Sequence, residues 1–160
     1  GASGTQKNYS KATELYYALI ADAQSTKGVQ DLAALRLAEM IYDGVGFAKN
    51  PKQSIEWYEF LIRRNAPYSL PAYRLGYIYE NGEGVPQNVV YAYCYYNLSA
   101  SSKELTFLTG LPDHLSTGKR SSEIQVAREV SRYRREQLEK LMTVDQVRQA
   151  QGLKRCGLAP

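Results

Sequence analysis

The sequence predicts an all-α fold: a short α-solenoid of stacked helical hairpins in a single domain, closed by C-terminal capping helices. Three observations predict it. The stretch Arg74-Leu75-Gly76-Tyr77-Ile78-Tyr79-Glu80-Asn81-Gly82-Glu83-Gly84-Val85 has a near copy at Arg36 to Phe47. The offset is 38 residues, and it continues without a gap through Asn50 and Asn88 to Trp57-Tyr58 and Tyr95-Tyr96. Self-similarity at a period of roughly 20–50 residues marks stacked units that bury their apolar faces only against neighbours. The second observation is that helix starts obey the same period, with Asp31 and Ser69 as N-caps of the first helices and Asn50 and Asn88 as N-caps of the second. The third is a double-glycine turn closing each first helix, Gly44-Val45-Gly46 and Gly82-Glu83-Gly84. Glycine past a helix end takes the left-handed conformation without a Cβ penalty.

Taken in order, residues 8–30 are expected to be a half repeat. Asn8 caps a helix whose Ala12, Leu15, Tyr16, Leu19 and Ile20 recur at helical spacing, followed by a polar loop from Gln24 to Gln30. Residues 31–68 form the first repeat. Its first helix carries the stripe Ala34, Leu37, Ala38, Ile41. Its second helix opens with Asn50 at the cap, Pro51 at the first helical position and Gln53 placed for a capping box. Residues 69–100 repeat the plan. Phe47 and Val85, after the two turns, are expected to plug the gap between paired helices. Residues 101–121, with Gly110, Pro112 and Gly118, read as an irregular excursion that carries the lone His114. Residues 122–151 are expected to cap the array. Ser122-Glu123-Ile124-Gln125 opens a long helix to about Leu141 with Ile124, Ala127, Val130, Leu138 and Leu141 on its packing face, and Thr143 to Gln146 opens a short last one.

Composition narrows the function classes. Fourteen tyrosines against three phenylalanines and one tryptophan suit half-buried helix faces and contact surfaces. The net charge of +4 is uneven, because residues 119–160 hold ten Lys/Arg and five acids. Acids interspersed along that segment make a solvated helix face the plainer reading than a nucleic-acid surface. No apolar run reaches the roughly 18 residues of a membrane span. No signal-peptide pattern opens the sequence, and Gly1-Ala2-Ser3-Gly4 reads as a trimmed end. Cys94 and Cys156, 62 residues apart, match no metal spacing. Two free thiols are the favoured reading, and one disulfide tying the tail to the array, in an oxidising compartment, is the alternative. One histidine and no nucleophile with a recognisable base partner argue against an enzyme, and no cofactor or metal site is expected. The glycine turns lack a preceding strand and a following Gly-Lys-Ser/Thr, so they are not phosphate loops.

The pattern Leu-Gly-x-x-Tyr-x-x-Gly-x-Gly-Val at 75–85, its looser copy at 37–47 with Ala38 for Gly and Phe47 for Val, and the aromatic pairs Trp57-Tyr58 and Tyr95-Tyr96 resemble the Sel-1-like repeat family, a relative of the tetratricopeptide repeats. Residues 141–151 resemble an ending common among bacterial members, many of which work in the envelope. The resemblance implies hairpins stacked into a superhelix and a role in assembling protein complexes, with a periplasmic or secreted location slightly favoured. It implies a non-catalytic adaptor binding a protein partner; the alternative on the same scaffold is an immunity- or inhibitor-type protein neutralising a toxin or enzyme in the bacterial envelope. In the related tetratricopeptide architecture the first helices line the concave face. Carried onto this sequence, that places Leu35, Glu39, Tyr42 and Asp43 with their counterparts Tyr73, Tyr77, Glu80 and Asn81 at the partner-binding face. Arg36 and Arg74 also repeat, and read as solvated.

Overall fold

A computed structural model of the chain describes residues 8–64, 69–102 and 118–158. These hold seven α-helices and no strand: α1 Tyr9–Ala21, α2 Lys27–Asp43, α3 Pro51–Arg63, α4 Ser69–Asn81, α5 Val89–Ser101, α6 Gly118–Leu141 and α7 Val144–Gly152, followed by a tight turn at Lys154–Gly157. Each helix packs on the next from α1 to α6, α6 also lies against α4, and α7 rests on α5.

Local chemistry sets the helix ends. Asn8, Asn50 and Asn88 each accept a backbone N–H of the first turn through their side-chain oxygen, which satisfies an otherwise orphaned donor. Thr143 and Gln146 complete a reciprocal capping box on α7. The two double-glycine turns are built alike. All four glycines are left-handed, with φ of 75° and 77° in the first turn and 70° and 73° in the second. In both turns the chain then returns to bond its own helix: Asn50 N–H donates to the Ile41 carbonyl at 3.0 Å and Asn88 N–H to that of Tyr79 at 2.8 Å.

Several expectations are corrected. Asp31 is not a cap: Thr26 caps α2, whose helix takes in Lys27 to Gln30 from the expected loop. Asp31 is only 1% exposed and pairs with Arg64 at the end of α3, and a buried carboxylate needs such a partner. Helix α6 is already helical at Gly118, four residues before the expected start at Ser122, and Leu141 is 83% exposed rather than packed. Cys94 and Cys156 are not free; they form a disulfide that fastens the tail to α5. Ser69, expected as a cap, is the first residue of α4. Residues 103–117, most of the expected excursion, lie outside the described residues together with His114.

One core lies between the hairpins, with Leu61, Leu75, Ile78, Tyr58 and Tyr95 fully enclosed; Val85 packs against it. A second cluster, Ala92, Tyr93, Tyr96, Leu138 and Ala150, joins α5 to α6 and α7. A buried hydroxyl chain links the last three long helices: Ser131 donates to Ser99 at 2.9 Å, and Ser99 donates to the Ser69 carbonyl at 2.9 Å. That chain fixes α6 beside α4, which matters for the cleft described next.

Candidate protein-binding groove

Helices α2, α4 and α6 border a half-open cleft of about 270 Å³. Leu70, Tyr73 and Arg74 come from α4. Arg36 and Glu39 come from α2, and Glu123, Val126, Ala127 and Val130 from α6. Helical spacing explains the selection, since residues three and four apart share a face. The lining is apolar between charged edges. Val126 is 58% exposed, an aliphatic side chain left in water on a helix that also exposes Glu129, Arg132, Tyr133 and Lys140.

The eight residues expected at the partner face fall into distinct settings. Glu39 and Tyr73 line the cleft. Glu39 accepts from Arg36 at 2.7 Å across one turn. The ring of Tyr73 lies 6.3 Å from that of Tyr96. Leu35 and Tyr42 are each 5% exposed and belong to the core. The Tyr42 hydroxyl donates to Glu83 at 2.8 Å, joining the end of one repeat copy to the turn of the next. Burial, then the hydrogen bond to Glu83, push that hydroxyl well above the usual tyrosine range. Tyr77 is half-buried against the core, and Asn81, exposed, donates to its carbonyl at 2.8 Å. Glu80 accepts from the Tyr96 hydroxyl at 2.6 Å and pairs with Arg134 of α6 at 3.4 Å. Asp43 is exposed.

Residues not expected at the site are Leu70, the two repeated arginines and the α6 wall. Arg36 and Arg74 did carry a signal, because they recur at the 38-residue offset. The α6 residues carry none, since that helix lies outside the repeat and reaches the cleft only through tertiary packing. Among the described residues, no group of three His, Cys, Asp or Glu side chains is placed to hold a metal ion. No helix there is long and apolar enough to cross a membrane. What the cleft offers is aliphatic side chains, one tyrosine and fixed charges, the makings of a polypeptide contact surface.

A family model for the Sel1 repeat matches residues 1–20, 31–65 and 72–103, together more than half of the chain. The protein belongs to the Sel1 repeat family. The second Sel1 match runs from within α2 through α3, and the third from within α4 through α5. Sel1 repeats are generally protein–protein interaction modules and typically non-catalytic. Searches of curated proteins and of solved structures return no match.

Proposed function

We propose that this Sel1 array is a non-catalytic adaptor that holds a segment of a partner protein along its concave face, in the cleft between α2, α4 and α6. One observation carries the reading: the first helices of both repeat copies and the capping helix α6 contribute to a single groove lined by aliphatic side chains, one tyrosine and fixed charges. Its volume falls just below the roughly 300–1,000 Å³ of small-molecule sites, and it is half open, which fits a peptide side chain better than a cofactor. Glu39 and Tyr73 contact the segment inside the cleft in this reading, and Asp43, Tyr77 and Asn81, which do not line it, extend the contact along α2 and α4. Leu35, Tyr42 and Glu80 act from behind, holding α2 and α4 in place. The buried Cys94–Cys156 bridge supports a working location in an oxidising compartment, where disulfides persist.

The test is affinity isolation from the native source with wild-type protein beside Tyr73→Ala and Tyr77→Ala, each checked for intact helicity. The expected outcome is a partner recovered with wild type and depleted at least tenfold with the variants, since aromatic anchors at contact surfaces commonly contribute about 2 kcal/mol or more. Equal recovery by all three proteins sinks the groove assignment.

A further inference from the structure

The next inference rests on the groove reading and adds the chemistry of what the groove holds. Most basic side chains around the first helices are already engaged. Arg36 is held by Glu39 at 2.7 Å, Arg134 by Glu80 at 3.4 Å and Lys49 by Glu83 at 3.7 Å. Arg74 differs. It lines the cleft half-buried, and among the described residues it forms no ion pair and no hydrogen bond. Its guanidinium is positioned instead over the ring of Tyr42, 5.2 Å from the centroid, and that ring is itself anchored through its hydroxyl to Glu83. Cation–π contact leaves the N–H donors of the guanidinium fork available; carboxylates and phosphates match that fork, and of the two a carboxylate is what an unmodified polypeptide carries.

We propose that the cleft takes an extended partner segment in which an aliphatic residue stands beside an aspartate or glutamate. The aliphatic side chain fills the space bordered by Leu70, Val126 and Val130, and the carboxylate accepts from Arg74. The acids around it set the sign of a control. Glu39 is engaged by Arg36 and Asp43 is exposed, and both carboxylates also act electrostatically on Arg74, so an incoming acid competes with them. Glu123 on the α6 wall faces the incoming acid without a partner among the described residues and opposes it.

The experiment selects from a random peptide library fused to its carrier at the C-terminus, so that the only carboxylates on offer are side chains. Wild type is expected to enrich peptides pairing Leu, Ile or Val with Asp or Glu. A selected peptide is expected to bind Arg74→Gln about tenfold or more weakly, as loss of a charge-assisted hydrogen bond requires. Arg74→Lys keeps the charge without the fork and is expected to fall between. Glu123→Gln is expected to bind about twofold tighter, the scale of an exposed charge. A consensus without an acid, or equal affinity in Arg74→Gln, overturns this inference; the groove reading then survives only if Val126→Asp abolishes binding. No enrichment, or binding indifferent to Val126→Asp, overturns both. Circular dichroism of each variant separates lost contact from lost fold.

Discussion

Gly76 sits where α4 crosses α5, and a Cβ built there would lie 2.6 Å from the ring of Tyr96. That ring has nowhere to go: it is fully buried, its hydroxyl is bonded to Glu80, and Tyr73 flanks it. The equivalent position in the first repeat copy is Ala38, also buried, so one methyl is tolerated there. Gly76→Ala gains helix propensity of up to about 1 kcal/mol but overpacks the α4–α5 contact, which typically costs about 1–3 kcal/mol. Net destabilisation of up to about 2 kcal/mol is expected in urea melts. A variant more stable than wild type would show that the ring yields.

The tail after α7 is the element least able to hold itself. Leu153 and Leu158 pack on the core, but Arg155 and Cys156 between them adopt left-handed backbone, φ 44° and 55°, which non-glycine residues avoid. The Cys94–Cys156 bridge offsets that cost by closing a chain segment of 62 residues. Loop-closure entropy at that length corresponds to about 4 kcal/mol in the chain-entropy account. Cys156→Ser, or reduction of wild type, is expected to lower unfolding stability by about 2–4 kcal/mol and to open the bond after Arg155 to trypsin. Identical denaturation midpoints with and without dithiothreitol would show that side-chain packing secures the tail unaided.

Across the whole molecule, tyrosine fills the spaces between helices, and this gives the fold a pH limit. Tyr42, Tyr58, Tyr95 and Tyr96 all have hydroxyls pushed well above the usual range, with burial the leading cause in each. For Tyr42 and Tyr96 the hydrogen bond to a glutamate adds to it. The folded state therefore holds these protons more tightly than the unfolded chain, whose tyrosines titrate near pH 10. Their contribution to stability is complete below about pH 10 and is lost as pH rises beyond it. Ultraviolet titration is expected to ionise the buried four only together with loss of helical circular dichroism. Reversible ionisation of every tyrosine with the helices intact would defeat this.

What the sequence by itself determined is the repeat, its period, the asparagine caps at Asn8, Asn50 and Asn88, and the glycine turns. Each of these rests on interactions within about four residues or on a backbone conformation that few residue types adopt, so residue identity is enough to specify it. Tertiary structure decided what depends on distant partners. Asp31 looks like a cap until Arg64, on another helix, turns it into half of a buried ion pair. Cys94 finds Cys156 only after α7 brings the tail back to α5. Leu35 and Tyr42 share the helical periodicity of an exposed face, but neighbouring helices enclose them. The groove itself belongs to this second kind. Its α6 wall stands outside the repeat, and only the packing of α6 on α4 and α5, held in part by Ser131, Ser99 and Ser69, carries Val126 and Val130 to the cleft beside Arg74. Spacing along the chain encodes local bonds; side chains dozens of residues apart meet only when burial of the apolar faces brings the helices together.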